Sequence, residues 1–237
     1  MASALTANTV TFSQLNVARQ LETVQTTAFP ASLAPIAQEL ARLAQDHAKC
    51  PSQKIPVIGI GGCPGIGKTI FTKVLSQELQ KQGISSTTVL FDDWTNPAES
   101  RQKGYFDLEG IHTFFQNFMK SQQSIQKPTS AEFEDLYSTE VLDLSRVDII
   151  LFEGCFTLCG KDPMNYIQYC DKGIYLDAED ADISRWKRER PSTVQRTNEE
   201  FAEHMRNTFN AHREYIAPFK SQATWVVHKA PDHSYSL

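Results

Sequence analysis

Gly62-Cys63-Pro64-Gly65-Ile66-Gly67-Lys68-Thr69 reads as a glycine loop joining a strand to a helix, and the rest of the chain is organised around it. The spacing G-x-x-x-x-G-K-T is that of a phosphate-binding loop, whose glycines let backbone N–H groups converge on a polyphosphate without side-chain obstruction. Lys68 would reach the β- and γ-phosphates. Thr69 opens the following helix, where its hydroxyl can ligand Mg2+ and the helix N-terminus directs partial positive charge at the anion. Context agrees with pattern: Val57, Ile58 and Ile60 form a short buried-strand run before the loop. Ile70, Phe71, Val74, Leu75 and Leu79 recur at helical spacing after it. Gly62 to Ile70, including Cys63, Pro64, Gly65, Ile66 and Gly67, is therefore the expected nucleotide site.

Beyond the loop, the helix from Lys68 is expected to end near Gly83, and the β-branched stretch Thr87 to Phe91 to form a second strand. That strand delivers Asp92 and Asp93 to its C-terminal end, where open α/β sheets place ligands. Adjacent carboxylates beside a nucleotide suit a site in which Mg2+ or a substrate proton uses them; a capped turn is the bland alternative. Pro97 to Gly104 reads as a polar loop offering Arg101 and Lys103 for substrate or lid contacts. Leu108, Ile111, Phe114, Phe115 and Phe118 mark an amphipathic helix. Ser121 to Ser130 reads as loop, and Glu132 to Val141 as short helix or strand.

Val147 to Phe152 is the clearest central strand, nearly all apolar, as expected when both faces are covered. It ends at Glu153-Gly154, a carboxylate able to sit opposite the glycine loop and hold Mg2+ directly or through water. Another strand, Gly173 to Leu176, leads to acids at 177–182 that favour a helix start, followed by Arg185, Lys187, Arg188 and Arg190 before Pro191. These cations suit a mobile lid, about residues 183–197, neutralising a transferring phosphoryl group, with Trp186 near the base. A solvated face paired with nearby acids is the other reading. Thr197 and Glu200 form a capping box for a long helix reaching Tyr215, and Ala223 to Val227 a last strand.

The chain has 237 residues, 41% of them hydrophobic, enough for one substantial core, and a formal charge of −5 that gives no general attraction for nucleic acid or anionic membrane. No apolar run approaches the roughly eighteen residues of a membrane span, and the polar N-terminus is unlike a secretory signal, so the expected location is cytoplasmic. Five cysteines cannot all pair within one chain and read as reduced. Residues 1–54 are expected to be an N-terminal helical extension with a mobile start. In it Ser32 caps a helix whose stripe of Leu33, Ile36, Leu40 and Leu43 packs on the body or forms a homodimer surface. Residues 55–230 form the nucleotide-binding domain, and residues 231–237 a fraying tail. The expected fold is α/β: a three-layer αβα P-loop NTPase with a mainly parallel central sheet, a short lid and the helical extension.

Together these motifs resemble the uridine kinase, phosphoribulokinase and pantothenate kinase group of small-molecule P-loop kinases. The resemblance spans roughly residues 55 to 228 and rests on Gly62 to Thr69, Asp92-Asp93-Trp94, Phe152-Glu153-Gly154, the arginine-bearing lid, and the late helix running into Tyr215 to Lys220. It implies ATP as donor, Mg2+ as cofactor and a small-molecule hydroxyl as acceptor, with Asp92 as base and Glu153 organising the metal beside Thr69 and Asp92. Lys68 and a lid arginine, Arg185 or Arg188, would neutralise transferring charge. The acceptor would be read by Asp93, Trp94, Arg101, Tyr105, Phe106 and Asp107, the aromatic-acidic segment lying near the acceptor pocket. Uridine kinases follow their aspartate with a Ser-Phe-Tyr-like run where this chain has Asp93-Trp94-Thr95. A uridine kinase-like nucleoside kinase is the leading expectation. The alternatives are a kinase for pantothenate, glycerate or a sugar phosphate, and a nucleotide-dependent regulatory ATPase.

Overall fold

The computed structural model describes residues 29–49, 54–120, 123–131 and 136–237. The helical potential read at Gln14 to Val24 lies outside these residues. Six strands form one sheet in the order β2–β5–β1–β6–β7–β8. They are β1 (Val57–Gly62), β2 (Ser86–Leu90), β5 (Ile149–Glu153), β6 (Lys172–Asp177), β7 (Trp225–Lys229) and β8 (Tyr235–Ser236). All neighbouring pairs are parallel except β7–β8. Parallel strands need helical crossovers that cover the sheet, which explains why β1 and β5 are buried at every position.

Strand alternation divides the core into two layers. Ile58, Ile60, Ile149, Leu151, Ile174 and Leu176 face one side, where they meet α1 (Ala34–Lys49), α2 (Lys68–Lys81), α4 (Asp180–Arg188) and α6 (Asn198–Tyr215). Val57, Ile150 and Phe152 face the other, against Ile111, Phe114, Phe115 and Phe118 of α3 (Leu108–Lys120). The short α5 (Pro191–Val194) links α4 to α6. The result is the three-layer αβα arrangement read from the sequence. Gly83, with φ +78°, follows α2 as a left-handed stop. The Thr197–Glu200 capping box forms at the start of α6, with Thr197 Oγ1 accepting from Glu200 N at 3.2 Å and Thr197 N donating to Glu200 Oε2 at 2.8 Å.

Three segments differ from expectation. The stretch Ser121 to Ser130, read as loop, carries the strand β3 (Ser124–Ala131); it pairs antiparallel with β4 (Leu136–Asp143), which takes the strand alternative read for Glu132 to Val141. The tail expected to fray instead adds β8 to the sheet edge, pairing Lys229 with Tyr235. Ser32 does not cap α1: it lies within a 3-10 turn (Ala31–Leu33), and its hydroxyl donates to Tyr235 O at 2.8 Å. A backbone acceptor 203 residues away has replaced the local one. Leu33, Ile36 and Leu40 are fully buried in the same cluster as Ile58 and Leu75, so the stripe on α1 packs on the body of this chain.

Candidate active site

Register assembles the site. Ile60 of β1 and Leu90 of β2 both pair with Glu153 at the end of β5. Glu153 therefore sits between the entry to the glycine loop and the 3-10 turn Phe91–Trp94 that carries Asp92 and Asp93. Parallel strands end together at their C-terminal edge, so the loop, Asp92 and Glu153 converge although far apart in sequence.

The loop is shaped by backbone that side chains rarely adopt. Gly65 and Gly67 both have φ +101°, and a Cβ on Gly65 would stand 2.6 Å from Lys187 Cγ. Lys68 is buried, and its Nζ donates to Gly62 O at 3.2 Å and Cys63 O at 3.3 Å, and lies 3.2 Å from Cys155 Sγ. Burial acts to lower its pKa, but the neighbouring Cys155, Glu153 and Asp92 outweigh it and the net direction is upward. Lys68 thus stays charged. Burial pushes the Cys63 thiol up to about 12 and raises Cys155 as well. Thr69 and Ile70 are exposed at the start of α2.

Thr69 Oγ1 donates to Glu153 Oε2 at 3.0 Å. Burial raises the Glu153 pKa, with Lys68 opposing it and Asp92 adding to it. Among the described residues no group of three or more His, Cys, Asp or Glu side chains forms a metal cage. A hydroxyl paired with one buried carboxylate fits Mg2+ nonetheless, because that ion takes one or two protein oxygens and fills its octahedron with phosphates and water. Asp92 is exposed on the loop side, coupled electrostatically to both Lys68 and Glu153.

Asp93, adjacent in sequence, is turned elsewhere. Its Oδ2 accepts from Lys127 Nζ at 2.6 Å, and Lys127 also meets Glu140 Oε1 at 2.7 Å. Asp93 and Lys127 are both buried, so this triad fixes the β3–β4 hairpin against the carboxylate turn. Trp94 packs edge-to-face on Phe114. A cavity of about 490 Å3 lies between α3 and the hairpin, with Trp94, Asp107 and Lys127 among its walls. Asp107 Oδ1 accepts from Gly110 N at 2.9 Å and so caps α3. Phe106 packs on Phe91 and Phe156, and Tyr105 is 46% exposed beside it. Thr95 bridges to Phe106, closing the segment between into a tongue. Arg101 lies in the 3-10 turn Ala98–Lys103 within that tongue, and its side chain is outside the described residues.

The lid arginines part company. Arg185 pairs with Asp182 at 2.9 Å and donates to Pro231 O at 3.0 Å. Arg188 donates to Arg196 O and Asn198 Oδ1, 3.0 and 3.1 Å away, and lies over the Phe201 ring. Neither contacts the glycine loop in these bonds. Arg190 does, donating to Gly65 O at 3.2 Å, and Lys187 lays its methylenes on Gly65 while Nζ donates to Thr208 Oγ1 at 3.0 Å. Burial brings Lys187 down to about 8 and also lowers Arg190. Lys127 and Lys229 were not singled out by sequence reading. Arg190 and Lys187 belong to the basic run read as the lid; Lys187 lies in α4 and Arg190 just beyond it, at the extended N-cap of α5.

No family model matches the chain. It is 26% identical over 182 residues to a pantothenate kinase of Parvibaculum lavamentivorans, covering 68% of this chain and 56% of that protein. It is 27% identical over 236 residues to a pantothenate kinase of Sorangium cellulosum, covering 84% and 77%. The chain thus spans little more than half the length of the first of these relatives. In three dimensions it is similar to a D-glycerate 3-kinase from Cryptococcus neoformans, with TM-score 0.64 and 14% identity over 87% of this chain and 98% of that one. The structural neighbour shares the fold, and the named sequence relatives and that neighbour are, by name, kinases of small molecules.

Proposed function

We propose that this chain transfers the γ-phosphoryl group of ATP, with Mg2+, to a hydroxyl of a small metabolite. The observation that carries the reading is the 3.0 Å contact of Thr69 with Glu153, directly beside the charged Lys68. Phosphoryl transfer needs in-line positioning and charge neutralisation more than covalent chemistry. The glycine loop holds the donor phosphates through backbone N–H groups, and Lys68 offsets their charge. Thr69 and Glu153 would hold Mg2+, which would supply neutralisation of phosphate charge. Asp92 accepts the acceptor hydroxyl proton as its oxygen bonds to the γ-phosphorus; the bond to the β-bridging oxygen breaks and ADP leaves. Arg190 and Lys187 add positive charge from the lid side of the loop.

For the acceptor, pantothenate is the first candidate because both sequence relatives carry that name. The Asp93-Trp94-Thr95 run, unlike that of uridine kinases, also weighs against uridine. Purified protein given ATP and Mg2+ with pantothenate, uridine, glycerate or a sugar phosphate provides the test. ADP release that requires one of these acceptors is expected. Release independent of any acceptor would overturn the kinase reading in favour of a regulatory ATPase.

A further inference from the structure

Lys229 stands at the end of β7, yet its amine lies on the glycine loop. Its Nζ donates to Ile66 O at 3.0 Å and rests 3.9 Å from the centre of the Trp186 ring, with only 7% of the residue exposed. A Cβ on Gly67 would come within 3.0 Å of that same Nζ. The amine and the loop backbone are therefore packed face to face, and glycine is what leaves room between them.

We propose that Lys229 is a positioning residue for the donor phosphates, a strut from the C-terminal strand that orients the Ile66–Gly67 peptide of the glycine loop. A trans peptide is planar, with its C=O and N–H pointing to opposite edges. Drawing the Ile66 carbonyl toward Lys229 directs the Gly67 N–H away from it, to the far edge of the loop. In a phosphate-binding loop that edge is where backbone donors must face the anion. Two other loop carbonyls are also held by cations. Lys68 fixes Gly62 O, and Arg190 fixes Gly65 O, whose own peptide turns its Ile66 N–H inward to Cys63 O at 3.2 Å.

Lys229 differs from these two in coming from the opposite end of the chain. The segment that carries it is itself tied down. Tyr235 of β8 meets Phe71 of α2 edge-to-face, with ring centres 5.5 Å apart, and accepts from Ser32. The last strand pair is thus part of the loop's mounting, and the proposal deepens the ATP-binding reading on which it rests.

Direct titration of ATP, ADP and AMP into the full chain, without acceptor, tests this. Lys229→Met keeps the stem against Trp186 and removes the donor. ATP and ADP dissociation constants are expected to rise about tenfold, the effect of losing roughly 1.4 kcal/mol, with AMP changed by less than about twofold. Lys229→Gln retains a hydrogen-bond donor without charge and should recover most of the ATP affinity, even should the Met variant fold poorly. In turnover assays KM for ATP should move and KM for the acceptor should not. Unchanged ATP and ADP binding in Lys229→Met, an equal loss for AMP, or a Gln variant no better than Met would each overturn the strut. Wild-type protein that binds no ATP would remove the donor reading itself, a separate outcome.

Discussion

Two contacts of buried carboxylates, Thr69 with Glu153 and Lys127 with Asp93, are made in different ways. Thr69 and Glu153 lie 84 residues apart and stand 3.0 Å from each other because β1 and β5 are neighbours in register, ending at one edge of the sheet. Asp93 and Lys127, only 34 residues apart, stand 2.6 Å from each other because a hairpin outside the main sheet folds back onto the carboxylate turn. The glycine-loop side is thus held by parallel strand geometry that the whole core supports. The hairpin side hangs on the buried Asp93–Lys127 pair, with the exposed Glu140 as the second partner of the lysine. On the proposed kinase reading, a change on the glycine-loop side should alter chemistry and leave the fold intact, whereas one on the hairpin side should alter stability first.

The sharpest break of this contrast is Lys68→Ala. Lys68 lies in the first turn of a helix buried through Phe71, Leu75 and Leu79, so the fold has ample support without it. Turnover should fall about 1000-fold, the upper end for removing one preorganised charge partner, with thermal unfolding within a few degrees of wild type. Unfolding of comparable severity would erase the distinction between the two sides. Lys127→Met is the counterpart. It strands Asp93 as a buried carboxylate without its cation, and stability should drop by about 3 kcal/mol. Adding Asp93→Asn should restore much of that loss, as read by denaturant midpoints; a double variant no better than the single one would show that the triad is not what holds the hairpin.

Asp92 and Asp93 are the closest test, since they are adjacent and face opposite partners. Asp92→Asn should leave ATP binding in place and lower phosphorylation about 100-fold, within the usual range for loss of a general base. Asp93→Asn should lose less turnover and more stability. Equal and parallel losses in the two variants would mean that the turn works as a unit.

The glycine-loop side was legible in the sequence because its signals are local. The strand before the loop, the glycines, Lys68 and Thr69 are consecutive, and the all-apolar run into Glu153 marks a strand covered on both faces. The hairpin was hidden for a physical reason. In β3 the buried positions alternate as expected, but Ile125 is followed at the next inward position by Lys127, and Pro128 comes directly after it. A charged residue where the pattern needs an apolar one, beside a proline, erases the period of two. Only the tertiary partners Asp93 and Glu140 make that lysine tolerable inside. The short β8 was invisible likewise, since its two residues become a strand only through pairing with β7. Asp107, read as an acceptor contact, lines the cavity, and its carboxylate also caps the helix that begins with the next residue.

The lid places the same contrast within a few residues. Arg188 and Arg190 flank one glutamate, yet Arg190 reaches Gly65 O while Arg188 reaches the chain entering α6. Arg190→Ala should lower turnover about tenfold, since it removes positive charge at the loop. Arg188→Ala should leave turnover within about twofold and reduce stability by about 1 kcal/mol, the loss of hydrogen bonds to Arg196 O and Asn198 Oδ1 beside a capping box. Arg185, half exposed and paired with Asp182 and Pro231 O, should show the smallest effect of the three. Should the tenfold loss fall on Arg188 and spare Arg190, the lid would have to swing on nucleotide binding far enough to exchange their partners. Measuring unfolding midpoints of the three variants with and without saturating ATP separates that motion from the fixed arrangement, because a swinging lid changes the Arg188 stability loss only when ATP is present.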